Sequence, residues 1–242
     1  MTEWAALPWG ELEEAAWGRV ALLPFGAIEE HGPHIALGAD WHAASELGRR
    51  VAEKAGLVLL PALPYGQVWS LSGYPGTLSV SNETLVSLVT DLVPGLRLAG
   101  VTGVVLLSCH LGNMTALKEA ARRLYELGLP SLYLFYPGMS EASSTVRTTP
   151  EVSKEIVHAD EIETSVLLEL VPEDVDMNKA VREWPELPDG LLSSPERWRG
   201  FSSSGVFGDP TEASLEKGRT IVALVENRAV DLIGGWRARH GL

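Results

Sequence analysis

Between residues 19 and 137, short apolar runs alternate with stretches of mixed polarity. The run RVALLPFG (19–26) is continuously apolar and ends at Pro and Gly, the pattern of a strand buried on both faces. HAASELGRRVAEKAG (42–56) predicts a helix stopped by Gly56. LVLLPALPYG (57–66) predicts a second buried strand. SNETLVSLVTDLVPGLRLAG (81–100) predicts a helix capped at Ser81 or Asn82. VTGVVLLSCH (101–110) is the third expected strand, MTALKEAARRLYELG (114–128) a helix closed by Gly128, and PSLYLFYP (130–137) a fourth strand. Strands alternating with helices at these spacings imply right-handed crossovers and a mostly parallel α/β sheet covered on both faces. Residues 174–205, rich in Pro, Ser, Trp and Arg, read as a long excursion or subunit-contact loop. Residues 209–236 read as a long amphipathic helix.

This pattern places the chemistry. Ligands bind at the carboxyl ends of strands in open parallel sheets. The first strand runs there into FGAIEEHGPHIALGADWHA (25–43), which holds Glu29, Glu30, His31, His34, Asp40 and His42. The third strand ends at His110, on the same edge.

Composition narrows the choices. With 242 residues, 45% of them hydrophobic, the chain is expected to form a single domain over 1–242. A net charge of −13 disfavours nucleic acid and anionic lipid as partners. No apolar run reaches the roughly 18 residues of a membrane span. The N-terminus lacks the basic and apolar segments of a secretory signal. The lone cysteine, Cys109, fits a reducing compartment, so a cytoplasmic location is expected.

Glu29 and His31 point to one side of an extended segment. Asp40 lies where the loop meets the next helix, so the loop carries all three groups. Carboxylates crowded in a poorly solvated cleft repel one another unless a cation neutralises them. Carboxylate with imidazole suits zinc or manganese, and two metals could share a bridging Asp. His110 adds a second imidazole, and the small residues Gly112 and Asn113 allow close backbone approach. HADEIETSVLLEL (158–170) adds His158, Asp160, Glu161 and Glu163. Simpler readings compete: a hydrogen-bonded structural His110, Asp40 as a helix N-cap, and acids after His158 that complement a helix dipole. Cys109 beside His110 suggests a thiol nucleophile. Neighbours on a strand face opposite ways, however, which favours a buried, inert Cys109. Glu30 and His42 are expected to face outward or cap the helix, with His34 supporting the loop.

PFGAIEEHGPHIALGAD, followed in order by YPGTLSV, SCHLGN, HADEIETSVLLEL and GVFGDPTEAS, resembles the motif series of the creatininase (creatinine amidohydrolase) family over most of the chain. The resemblance implies a three-layer α/β/α sandwich around a parallel sheet, two divalent ions (zinc, manganese or both), and a homo-oligomer, since creatininases are typically hexameric. Carried over by motif, Glu29 and His110 bind one metal, His31 binds the other, and Asp40 bridges them. Gly112 stands where creatininase itself has a Glu ligand, so Glu163 of the E-T-S motif is the implied replacement. His158 matches the catalytic histidine. The implied reaction is hydrolysis of a small cyclic amide or a related C–N bond by a metal-bridging hydroxide. Two departures argue against creatinine as the substrate. SCHL stands for the usual NGHG, and Ser70 and Leu71 replace a Glu-His pair common in the family. A formamide hydrolase, a peptidase and a non-catalytic metal-binding protein are the alternatives. A phosphorylated substrate would draw on Arg182, Arg197 and Arg199. Trp69 and Tyr74, with Trp184 or Trp198, are candidates for an aromatic pocket.

Overall fold

The structure, a computed structural model, describes residues 1–191 and 193–242. It opens with a short strand β1 (Thr2–Glu3) and a helix α1 (Trp9–Ala16), neither of which the apolar pattern predicts. The first expected strand is β2 (Val20–Phe25), buried at every position. It leads to α2 (Ala39–Ala55), which ends at left-handed Gly56 as expected. The second expected strand shortens to β3 (Val58–Leu59). Pro61 and Pro64 have no N–H to extend the ladder. The chain still follows the sheet, with Leu60 N donating to Leu22 O (2.9 Å) and Leu63 N to Pro24 O (3.0 Å).

The helix expected over 81–100 divides into α3 (Asn82–Asp91) and α4 (Val93–Leu98). Pro94 forces the division, because proline is tolerated only in a helix's first turn. Ser81 caps α3 by accepting from Thr84 N at 3.1 Å. Next come β4 (Gly103–Ser108), α5 (Met114–Glu126) and β5 (Ser131–Phe135), close to expectation. An unexpected α6 (Met139–Val146) follows, then α7 (Glu161–Leu170) and α8 (Leu215–His240). The last helix starts later than residue 209 because Pro210–Glu212 form a 3-10 turn and Ser214 supplies the cap.

The strands form one parallel sheet in the order β1-β3-β2-β4-β5. Alternate residues of the central strands feed two cores. Val20, Leu22, Val105 and Leu107 pack with α2, α7 and α8. Ala21, Leu23, Phe25, Val104 and Leu106 pack with α1, α3, α4 and α5. That is the three-layer α/β/α arrangement. From β2 the chain crosses to β3 through α2 on one face; from β4 it crosses to β5 through α5 on the other. The chain therefore diverges between β2 and β4, the switch point where a crevice opens. Phe25 pairs with Ser108, so both strands leave the sheet at one level.

Glycine sets how closely α2 approaches that crevice. A Cβ at Gly26 would overlap the Trp41 backbone and lie 2.7 Å from the Asp40 carbonyl carbon. Gly26→Ala should cost about 1–3 kcal/mol through overpacking. Urea unfolding measures that loss, and a midpoint equal to wild type would refute the close-approach role.

Candidate metal centre

Beyond β2 the backbone closes a compact loop. Glu29 N donates to Leu37 O (2.9 Å), and Asp176 N donates to His34 O (2.7 Å). Gly32 turns the chain at φ 69°. The next helix begins at Ala39, with Gly38 as N-cap and no side-chain capping bond. Asp40 thus lies inside the first turn of α2, and the N-cap alternative is wrong for it. Its carboxylate points at the imidazoles instead. After β4, Ser108 Oγ accepts from His110 N (3.1 Å) and donates to His110 O (2.7 Å), turning His110 off the sheet edge. The acids after His158 divide in role. Asp160 caps α7 by accepting from Ile162 N and Glu163 N. Glu161, fully buried, accepts from Thr148, Thr149 and Lys217. Glu163 turns toward the loop after β2, and Ala159 N donates to its Oε2 at 2.6 Å. Ala159 takes the left-handed conformation (φ 50°), unusual for a residue with a Cβ and a sign of local strain at the site.

Five groups from four segments meet at the β2/β4 crevice. His110 Nδ1 lies 2.8 Å from Glu29 Oε1 and 3.3 Å from Asp40 Oδ2. His31 Nε2 lies 3.5 Å from Asp40 Oδ1, 3.7 Å from Glu29 Oε1 and 3.7 Å from Glu163 Oε2. Three triads have their donor atoms within 4.8 Å of one another: Glu29–His31–His158, Glu29–Asp40–His110 and His31–Asp40–Glu163. Asp40 belongs to the last two and presents a different oxygen to each. Glu29 Oε2, His31 Nε2 and Asp40 Oδ2 are buried without a hydrogen-bond partner. Leaving such atoms unpaired is costly, and a divalent cation satisfies them. The donor set therefore fits a metal.

Each imidazole is aimed by a backbone carbonyl. His110 Nε2 lies 2.8 Å from Gln67 O, His31 Nδ1 3.4 Å from Glu29 O, and His158 Nε2 2.8 Å from Glu30 O. A nitrogen facing a carbonyl carries the proton, which leaves the other nitrogen turned toward the carboxylates. Such outer hydrogen bonds fix the tautomer of a ligand histidine. Asn113 ties this scaffold together: it accepts from Gln67 N (2.9 Å) and donates to Gly26 O (3.0 Å) and Ser108 Oγ (3.2 Å). It is thus a hydrogen-bond hub rather than only a small residue. Gly112 does serve close approach, because a Cβ there would overlap Gln67 O and His110 Nε2.

The electrostatics follow from this crowding. Burial opposes protonation of His110, but Glu29 and Asp40 outweigh it and hold its pKa at about 10. Burial likewise opposes protonation of His31, yet Asp40, Glu163 and Glu29 raise its pKa well above the usual range. Burial would raise Glu29, but His110, His31 and His158 bring it down to about 2. Asp40 is pushed up, first by burial and then by Glu29. The crowded carboxylates favour the charged form of both imidazoles, and a metal ion binding there would displace such protons.

Among the flanking residues, Glu30 departs from expectation. Glu30 is buried rather than outward, with Oε1 accepting from Gly32 N. His42 is partly exposed and pairs with Asp174 Oδ2 at 2.6 Å. His34 supports the loop as expected: it is buried, its Nε2 lies 3.0 Å from Thr164 Oγ1, and burial lowers its pKa to about 4. Cys109 is buried, and burial pushes its thiol pKa up, so it is no nucleophile. The carbonyls of Gln67 and Glu30 left no signal in the sequence, since any residue type supplies one. Of the aromatic candidates, only Trp198 lines the cleft of about 170 Å³ above the centre, beside His158, Leu71 and Leu111. Trp198 and Phe207 meet the His158 ring edge-on, at 5.4 and 6.1 Å between centroids.

The parallel sheet and its buried carboxylate–imidazole centre at the switch point define the class: an α/β protein with a metal-competent site. Comparison supplies the family. The Creatininase family profile, described as creatinine amidohydrolase, matches residues 5–233. The chain belongs to the creatininase family and is a hydrolase of that family. It is 29% identical over 244 residues to creatinine amidohydrolase of Pseudomonas putida, covering 94% of each chain. It is 31% identical over 226 residues to the mycofactocin precursor peptide peptidase of Mycobacterium ulcerans, covering 89% of this chain and 84% of that one. Among solved structures it is similar to a manganese form of creatininase (TM-score 0.81, 26% identity, 98% of both chains). It is also similar to a zinc–zinc form of a creatininase variant (TM-score 0.79, 26% identity, 98% of this chain and 97% of that one).

The excursion carrying Trp198 is gathered by one acid. Glu183 accepts from Ser202 Oγ (2.9 Å), Ser203 N (2.7 Å), Ser204 N (2.8 Å) and Ser204 Oγ. Burial would raise its pKa, but the donors of Ser204, Ser203 and Ser202 bring it to about 2. A depressed carboxylate pKa stabilises the fold above its unfolded value of 4.5, and this is lost as pH falls toward 2. Glu183→Gln should therefore be less stable than wild type by about 1–2 kcal/mol at pH 7. That gap should close between pH 4.5 and 2. Paired denaturation curves across that range check it, and a gap independent of pH would contradict it.

Proposed function

We propose that this protein is a metal-dependent amidohydrolase that cleaves the C–N bond of a small amide, with two divalent ions at the centre described above. One observation carries the reading: Asp40 turns its two carboxylate oxygens toward separate triads, Oδ1 to His31 and Oδ2 to His110. Glu29 and His110 would hold one ion, His31 and Glu163 the other, with Asp40 shared. Carboxylate oxygens and imidazoles suit zinc and manganese alike. When bound, such ions supply Lewis-acid activation of water and of a carbonyl.

The chain's own residues provide the rest. His158 is held with Nε2 at the Glu30 carbonyl, so Nδ1 faces inward, 3.8 Å from Glu163 Oε2. From there it acts as the general acid–base, taking a proton from the attacking water and passing it to the leaving nitrogen. The water oxygen bonds to the carbonyl carbon, the C–N bond breaks, and a carboxylate and an amine or ammonia result. Burial and His31 oppose protonation of His158, but Glu30 and Glu163 outweigh them and raise its pKa, which suits proton donation. Trp198, Leu71 and Leu111 give the cleft apolar walls. The peptidase relative keeps peptide bonds among the candidate substrates. The narrow cleft favours a small molecule.

Metal analysis of protein purified without chelator is expected to find close to two divalent ions per chain. Asp40→Ala should lose both, whereas His110→Ala should lose chiefly one; retention of two ions by Asp40→Ala would eliminate a bridging role. In a hydrolysis screen of cyclic amides, formamides and short peptides with zinc or manganese, His158→Ala should keep its metals. Its rate should fall by about 10²–10⁴-fold. Equal inertness of wild type and variant would favour a non-catalytic metal-binding protein.

A further inference from the structure

The cleft walls carry more information than the centre beneath them. Leu71, Leu111, Phe135, Ile156, Val157 and Trp198 surround the opening above Glu29, Glu163, His110 and His158. Ser70, Cys109 and Gly112 complete the lining. No lysine or arginine lines the cleft among the described residues. The arginines a phosphorylated substrate would need are engaged elsewhere. Arg182 pairs with Asp209 (2.8 Å) and Thr211, Arg197 lies over the Trp69 ring (5.6 Å), and Arg199 donates to Ser203 O and lies over Tyr74 (5.1 Å).

Size bounds the ligand as well. A cavity of about 150 Å³ lined by aliphatic and aromatic side chains accommodates a benzene ring. The cleft, at about 170 Å³, is on that scale. Any part of a substrate extending away from the centre meets apolar walls. A ring or branched alkyl group gains there by leaving water. A carboxylate or phosphate would lose its hydration and find no partner on these walls.

We propose that the cleft selects small uncharged amides whose body is an apolar ring or branched alkyl group, and that Leu111 at its mouth determines this specificity. This rests on the amidohydrolase reading for the chemistry, but the selectivity belongs to the walls. Leu111 is 49% exposed, so its side chain tolerates a change of polarity without disturbing the core. A basic residue at that position would give an anionic substrate the partner it lacks.

The test uses metal-loaded protein and the probes benzamide, acetamide and succinamate, with binding read by ligand-observed NMR and hydrolysis by ammonia release. Wild type should bind benzamide at least about tenfold more tightly than either other amide, the scale on which apolar pockets discriminate. Leu111→Lys should gain succinamate binding by about tenfold. Trp198→Ala should weaken benzamide by about tenfold more than it weakens acetamide. Thermal melts confirm that both variants fold. Succinamate bound as tightly as benzamide by wild type, or an unaltered order in Leu111→Lys, overturns the inference. Benzamide bound selectively without ammonia release leaves the selectivity standing and sinks the amidohydrolase reading. Ammonia released from all three without preference does the reverse.

Discussion

Three carboxylates and two imidazoles buried in one crevice form the constraint to which the rest of the structure answers. Glu29, Asp40 and Glu163 repel one another in a pocket with little water to screen them. Only positive charge makes the arrangement stable. The carboxylates raise the pKa values of His31 and His110 and so favour their charged forms. Glu29 Oε2, His31 Nε2 and Asp40 Oδ2 are buried without a hydrogen-bond partner. Divalent ions are the natural replacement, and the proposed chemistry begins from that demand.

Keeping such a cluster in place needs a rigid frame, and the fold supplies it at the backbone. The parallel register of β2 and β4 brings two loops to one level. Gly26 lets the first turn of α2 close onto them, which places Asp40. Carbonyls of Glu29, Glu30 and Gln67 aim the three histidines, and Asn113 binds the Gln67 and Gly26 segments together. The excursion gathered by Glu183 lays Trp198 beside His158 and narrows the entrance. Charged groups lie at the bottom of the cleft and apolar side chains line its walls.

Much of this was legible from residue order. Continuous apolar runs marked β2 and β4 because a strand buried on both faces must be apolar throughout. Glu29, His31, Asp40, His110, His158 and Glu163 were all nominated by motif, and the structure brings them to one crevice. Local rules failed where two of them competed. Asp40 before a predicted helix looked like a cap, yet the helix begins earlier on Ala39 and the carboxylate serves the site. Glu30 looked like a surface acid, yet it is buried against Gly32 beneath Gly205. Short elements such as β1, α1 and α6 carry too few apolar positions to stand out by period.

The sequence by itself determined the layered α/β class, the family and the donor residue types, because apolar periodicity and motif spacing are local properties of the chain. Tertiary structure alone decided which oxygen of Asp40 faces which histidine and which backbone carbonyl orients each ring. It also decided that Arg182, Arg197 and Arg199 are paired outside the cleft lining while Trp198 is part of it. Those outcomes depend on contacts between residues far apart in the chain, where the chemistry of a residue type is known but its direction is set by packing.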